Sequence, residues 1–409
     1  MLKATQIKNF RSVENATNLE LAPITVIYGP TSAGKSTILY GLCALRNFIL
    51  NPNQALDGFF NIGFQSLGGF DACVFNHDQT RTISLGASIE AGNGVLEYTV
   101  SLGKPSAKLK LKLSNVQLSE EIAHPINLSI EGSISIPYPV NQAFQQELEI
   151  KTDKYNINWN GVNTNVISAQ PTADTQKIAQ LLSVLMNSPT EALKKIDIVP
   201  HKRGFFKPSY SPVPISSIPT SEDEVATLII NDPDLPAKIS IDTEEIFGRD
   251  FRTYVPPGTA TVYFQTTDKR ARTPVYLVND GFGVNQVVYI LAKIYRAGVE
   301  TVLIEEPEVH LHPTVIRNLA RRLAMIAIEE GKQLVFTTHS EQFLISLLTC
   351  VSEKLIQADS MKCYLANRDK RSTSFTEQTV SEKGQLTGGL ASFVEAEVAD
   401  LRKYMSIEQ

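Results

Sequence analysis

The sequence predicts an α/β fold built around a parallel sheet, and three observations predict it. Ile24-Thr25-Val26-Ile27-Tyr28 is a short β-branched apolar run, the pattern of a buried strand. Val299–Ile304 and Leu334–Thr338 repeat that pattern far downstream. Between these two, Ile316, Leu319, Leu323 and Ile326 mark one apolar helical face. Strand, helix and strand in that order form a βαβ unit, which places the strands parallel.

The first strand runs into Gly29-Pro30-Thr31-Ser32-Ala33-Gly34-Lys35-Ser36, followed by Thr37, and this stretch reads G-x-x-x-x-G-K-S. Ile38, Leu39, Leu42, Leu45 and Ile49 then recur at helical spacing. A strand, a glycine loop and a helix are the context a phosphate-binding loop requires. The glycines let backbone N–H groups close around a β-phosphate, and the helix N-terminus adds the positive end of its dipole. Lys35 would reach the β- and γ-phosphates and the Ser36 hydroxyl would bind Mg²⁺. A nucleoside triphosphate site is predicted here.

Residues 72–160 alternate as a β-meander, with strands expected at Cys73–Phe75, Thr82–Ile89, Val95–Leu102, Leu109–Leu113, Ile126–Ile136 and Leu148–Ile150 and a hairpin turn at Asn93-Gly94. Ile178, Leu181, Leu182, Leu185 and Met186 predict a helix. Residues 208–257 carry eight prolines and are expected to be an irregular insertion. Asn279-Asp280-Gly281-Phe282-Gly283-Val284-Asn285-Gln286 opens a helix with Val284, Val287, Val288, Leu291 and Ile294 on one face.

The Val299–Ile304 strand ends in Glu305-Glu306-Pro307-Glu308. Successive strand residues point to opposite sides, so Glu305 and Glu306 have different tasks. One would face Mg²⁺ and its waters, the other the attacking water. Pro313 suits the first position of the following helix, and Gly331 ends it. His339 follows the Leu334–Thr338 strand, at the carboxyl end where parallel sheets bind ligands. Short strands near Lys362–Ala366 and Ser374–Val380 and a helix over Phe393–Tyr404 complete the reading.

These motifs together resemble a known family. N-F-R-S at Asn9–Ser12, the G-P-x-x-x-G-K-S-T loop, G-F-G-x-x-Q, E-E-P-E-x-H-L-H-P at Glu305–Pro313 and T-T-H-S at Thr337–Ser340 look like ABC-type ATPase heads. The soluble group with RecF, the structural-maintenance-of-chromosomes (SMC) heads, the OLD (overcoming lysogenization defect) proteins and related AAA-type ATPases is similar. Ser66–Asp71, His77-Asp78 and Pro200-His201-Lys202-Arg203 also resemble OLD-like segments. The resemblance implies a P-loop NTPase of ABC-ATPase head type, with a mixed sheet, a β-meander lobe and a helical, Pro-rich insertion. It divides the chain into 1–165 and 266–409 as the two parts of the head, with 166–265 inserted.

The resemblance also implies roles. Glu305 would be the metal-side carboxylate, Glu306 the catalytic glutamate and His339 the switch histidine. Arg11 would lie near the nucleotide. His310-Leu311-His312 would face the other subunit. Gly281, Gly283 and Asn285 would belong to the signature that contacts the γ-phosphate on a partner's P-loop, so that two heads bury two ATP molecules as a homodimer. Two departures stand out: the signature lacks the usual serine, with Asn279 or Asn285 as polar substitutes, and Thr31 stands where many relatives have asparagine.

Composition bounds the rest. The 409 residues include 38 basic and 43 acidic side chains, a net charge of −5, which argues against coating DNA by bulk charge. No apolar run approaches the roughly 18 residues of a membrane helix. Met1–Val13 lacks the apolar core of a signal peptide, and four cysteines without C-x-x-C spacing suit a reduced cytoplasm. Lys108, Lys110 and Lys112 predict a strand with one lysine face, while His201-Lys202-Arg203 with Lys207, and Lys269-Arg270 with Arg272, read as basic surface clusters. Arg317, Arg321 and Arg322 read as the polar face of their helix. The 70 residues after His339 are too few for a TOPRIM nuclease domain, so nuclease activity is not expected. The expected activity is an ATP-gated switch in nucleic-acid maintenance or anti-phage defence, with DNA or RNA as a partner. The alternatives are an ATP-gated scaffold for a separate effector protein and, less favoured, the nucleotide-binding subunit of a transporter.

Overall fold

A computed structural model describes residues 1–91, 94–118, 126–137, 148–151, 155–269 and 271–389. The first strands are β1 (Ala4–Lys8), β2 (Thr17–Glu20) and β3 (Ile24–Tyr28), followed by helices α1 (Ser36–Leu50) and α2 (Gly69–Cys73). Then come β4 (Ile83–Ala91), β5 (Gly94–Leu102), β6 (Ser106–Leu118), β7 (Ile126–Pro137), β8 (Leu148–Lys151), β9 (Tyr155–Trp159) and β10 (Thr164–Ser168). Helix α3 (Ala173–Lys194) leads to β11 (Ile196–Val199), α4 (Glu222–Asn231), α5 (Leu235–Phe247), β12 (Arg249–Tyr254), β13 (Tyr263–Asp268) and β14 (Pro274–Tyr276). The chain continues through α6 (Phe282–Ile294), β15 (Thr301–Glu305), α7 (Pro313–Glu329), β16 (Gln333–Thr338), α8 (Glu341–Ser352), β17 (Met361–Asp369) and β18 (Ser372–Gln378). The hairpin turn expected at Asn93 and the helix expected over Phe393–Tyr404 lie outside the described residues.

Two compact units interleave along the chain. One comprises Met1–Leu21, Ser36–Ile196 and Arg368–Ser374; the other comprises Ala22–Lys35, Asp197–Asn367 and Phe375–Gln409. The first contains the sheet β2-β1-β4-β5-β6-β7, antiparallel from β1 to β7, and the small sheet β10-β9-β8. On β6, Leu109, Leu111 and Leu113 are buried and Lys108, Lys110 and Lys112 exposed, as period-two alternation dictates. Helix α1 approaches β1 closely, because a Cβ at Gly41 would stand 2.5 Å from Ile7 Cδ1.

The second unit is built on the sheet β11-β15-β16-β3-β17-β18. β15, β16, β3 and β17 pair in parallel in that order. Their near-continuous apolar runs are buried throughout β3, β15 and β16, as a sheet covered on both faces requires. α/β class, mixed strand directions and the βαβ order are therefore as expected. Among the described residues no helix is long and apolar enough to cross a membrane.

Local expectations were overturned in two places. Cys73–Phe75 is not a strand: Cys73 closes α2, and Phe75–His77 forms a 3-10 turn. The Pro-rich 208–257 segment is not irregular throughout, for it houses α4, α5 and β12. Its prolines punctuate rather than break: Pro236 takes the first turn of α5, and Pro256 and Pro257 follow β12.

Ser221 caps α4 reciprocally with Glu224. Burial raises the Glu224 carboxyl, but hydrogen bonds from Ser216 and Ser221 outweigh it and hold the group at about 2, below its ordinary 4.5. A depressed carboxyl adds stability above the unfolded value, which is lost as pH falls from about 4.5 towards 2. Glu224→Gln is expected to cost about 1 kcal/mol at neutral pH and to flatten this part of the acid limb. Thermal midpoints of both proteins across pH 2–7 check it; parallel curves would contradict it.

Candidate functional site

The loop after β3 turns sharply where the sequence places its glycines. Gly29 has φ +143°, and a Cβ there would stand 2.5 Å from the Ala366 carbonyl oxygen, so the strand end admits glycine alone. Pro30, Thr31 and Ser32 are exposed at the tip, Ser32 and Gly34 take φ +63° and +91°, and Ala33 N–H closes on the Pro30 carbonyl. Lys35 is only 7% exposed, and its Nζ donates to the Gly29 and Pro30 carbonyls at 3.0 and 2.9 Å. Burial pulls its ammonium down from the usual lysine range, while the Glu306 and Glu308 carboxylates push it back up. Helix α1 begins at Ser36, so the loop feeds directly into a helix N-terminus.

Sheet register brings the acidic tip to this loop. Glu305 pairs with Thr337 across β15 and β16, and Thr337 pairs with Ile27 across β16 and β3. Two strand spacings, about 10 Å, separate the Glu305 row position from the end of the strand that carries the loop. Two stretches 270 residues apart therefore meet at the carboxyl edge of one sheet.

Glu305 and Glu306 have different surroundings. Glu305 is 3% exposed, and its Oε2 lies 3.4 Å from the His201 N–H nitrogen and 3.6 Å from His201 Nδ1. Glu306 leaves the strand with φ +44°, a left-handed conformation uncommon outside glycine, and its N–H donates to the Thr337 carbonyl. Its Oε1 lies 3.1 Å from Nδ1 of the half-exposed His339.

Glu308, the third carboxylate of the motif, is buried. It accepts from Thr338 Oγ1 at 2.5 Å and from the His339 N–H at 3.4 Å, while its Oε2 has no hydrogen-bond partner among the described residues. Burial raises its pKa, opposed by the Thr338 hydroxyl.

The signature segment and His310 also meet. Gly281 sits at φ +84° ahead of α6, Phe282 packs edge-on against His310, and a Cβ on Gly283 would stand 2.8 Å from Leu311 Cδ2. His312 caps α7 through Nδ1. Asn285 corrects an expectation. It is buried, accepts from the Phe205 N–H and donates to the Phe205 carbonyl, both at 2.6 Å, so its amide is not presented to a ligand. Asn279 remains the exposed polar side chain of the segment.

Arg11 belongs to the first unit, where its guanidinium lies over the Tyr40 ring at 4.9 Å. Thr37 is buried within hydrogen-bond reach of Ser12. Two arginines read as surface charge are tied to buried groups. Arg322 donates to the buried Asp242 at 2.6 Å. Arg203 is 2% exposed and bonds the Glu305 and Glu306 carbonyls at 2.6 and 2.7 Å. Burial lowers it to about 10, against the pull of Glu308, Glu305 and Glu306. The missed signal was Ile196–Val199: a short β-branched run broken by Asp197 and ending in Pro200 marks another strand of the same sheet.

Hard oxygen donors at Ser36 and Glu305 suit Mg²⁺ held largely by substrate phosphates. Among the described residues no cluster of three His, Cys, Asp or Glu side chains forms an all-protein metal cage.

OLD nuclease from Thermus scotoductus is 23% identical over 360 residues, covering 84% of this chain and 60% of that protein, so the chain spans three-fifths of that relative's length. An SMC head domain from Thermotoga maritima is 9% identical at a TM-score of 0.43, covering 92% of this chain and 98% of that one. An Smc head domain with coiled coil and joint from Pyrococcus yayanosii is 8% identical at 0.46, covering 97% and 99%. Residues 24–346 match the family described as "AAA domain, putative AbiEii toxin, Type IV TA system". That match spans well over half of the chain, which therefore belongs to this AAA-domain family.

Proposed function

We propose that the protein binds Mg-ATP, hydrolyses it by in-line attack of water, and uses the cycle as a dimer switch in nucleic-acid maintenance or defence. The observation that carries this reading is the convergence of the Lys35 loop and the Glu305–Glu306 tip on one sheet edge. Gly29–Ser36 cradles the phosphates, Lys35 holds the β- and γ-oxygens, and Thr37 supports the loop from the first turn of α1. Ser36 and Glu305 are the metal-side oxygens, and bound Mg²⁺ neutralises phosphate charge. Glu306 orients and deprotonates the attacking water, and His339, 3.1 Å from Glu306, fixes that carboxylate and reaches the γ-phosphate. On this reading 1–165 and 266–409 form the head and 166–265 is inserted.

Dimerisation through the signature completes each site: Gly281, Gly283 and Asn279 meet the γ-phosphate held by a second copy. Asn279→Asp keeps the side-chain shape and places a carboxylate against phosphate, so ATP-dependent dimerisation should weaken about tenfold or more. Light scattering with and without ATP reads it; an unchanged dimer would remove the signature from the interface.

Turnover measured with and without DNA, beside mass in solution, tests the function. DNA-stimulated turnover with an ATP-dependent dimer supports the nucleic-acid reading. Turnover indifferent to DNA favours the ATP-gated scaffold, which the acidic net charge of −5 also suits.

A further inference from the structure

We propose that Pro200–Phe206 is a positioning strap tying the first turn of α6 to the backbone of Glu305 and Glu306, with Arg203 and Asn285 as positioning residues at its two ends. The proposal rests on the ATPase reading and adds a control to that site. At one end Arg203 Nη1 donates to the Glu305 and Pro200 carbonyls at 2.6 and 3.0 Å, and Nη2 donates to the Glu306 carbonyl at 2.7 Å. A planar guanidinium can hold several oxygens in fixed geometry, as a lysine ammonium cannot. It grips the chain where β15 gives way to Glu306, whose backbone takes the left-handed φ of +44°.

At the other end Asn285 pairs with both backbone groups of Phe205. Gly204 lies between the two grips at φ +128°, and a Cβ there would stand 2.9 Å from Asn285 Oδ1, so the close approach excludes a side chain. Only Gly204 separates Arg203 from Phe205. A shift of the α6 N-terminus therefore pulls Phe205, and through Arg203 it turns the peptide that aims Glu306 at His339. A buried arginine bonded to three carbonyls has no use as surface charge, and removing it takes a charged donor from each of those oxygens.

Two variants test the strap, Arg203→Lys and Asn285→Asp, each checked for native circular dichroism. Where Arg203→Lys folds poorly, Asn285→Asp, which keeps an acceptor for the Phe205 N–H, carries the test alone. Hydrogen exchange in nucleotide-free protein is read over residues 301–309. Asn285→Asp, although it lies on α6, is expected to speed exchange there as Arg203→Lys does; exchange unchanged by Asn285→Asp would overturn the link. In turnover, each variant should lose about tenfold or more in kcat with KM within about twofold, as misplacement of a catalytic group demands. The double variant should be no slower than the slower single, because both cut one series of contacts. Multiplied losses would also overturn the strap. A wild type without turnover would sink the ATPase reading, and exchange would still decide the strap.

Discussion

Lys35→Ala is expected to weaken ATP binding by at least about 100-fold in calorimetry, since removing a buried partner of a phosphate costs several kcal/mol. Lys35 is the cation of the loop, nearly buried, with its amine folded over the Gly29 and Pro30 carbonyls and within the field of Glu306 and Glu308. Alanine removes the charge that offsets a triphosphate and leaves the loop's shape to Gly29 and Gly34, whose positive φ angles are set by the backbone. The fold should therefore persist while the affinity goes. A Lys35→Ala protein that binds ATP as the wild type does would refute the phosphate-loop assignment outright.

The second large effect separates the two glutamates. Glu306→Gln should keep ATP, lose turnover by about 100-fold or more, and accumulate as a dimer on ATP. Glutamine preserves size and can still meet His339 Nδ1, so loss of the base is the main change. Glu305→Gln should instead raise the Mg²⁺ concentration needed for turnover, because the proposed reading makes that buried carboxylate, held by the His201 N–H, the metal-side group of the pair. Single-turnover kinetics across a Mg²⁺ series, with mass measured in parallel, distinguishes the two. The reverse pattern would mean that the roles of Glu305 and Glu306 are exchanged.

The parallel sheet is legible in the sequence itself. Buried parallel strands announce themselves by unbroken apolar runs, and β3, β15 and β16 were readable for that reason. The glycine loop and the E-E-P-E tip are local patterns with local causes. What stayed hidden depends on distant contacts. Asn285 reads as a polar side chain near a helix start, and only the return of Phe205 eighty residues earlier in the chain takes up its amide. Arg203 sits in a run of three basic residues and looks like surface charge, yet the neighbouring strand end swallows it. The prolines of 208–257 suggested irregularity because a proline count ignores position; at helix starts and after strands, proline is compatible with regular structure.

The most direct test of the central claim is the structure of Glu306→Gln crystallised with Mg-ATP. A triphosphate is expected in the Gly29–Ser36 cradle, its γ-phosphate facing residue 306 and its Mg²⁺ facing Glu305. A triphosphate bound elsewhere, or one whose γ-phosphate lies more than about 15 Å from both acidic positions, too far for any reacting group to be aligned, would contradict it.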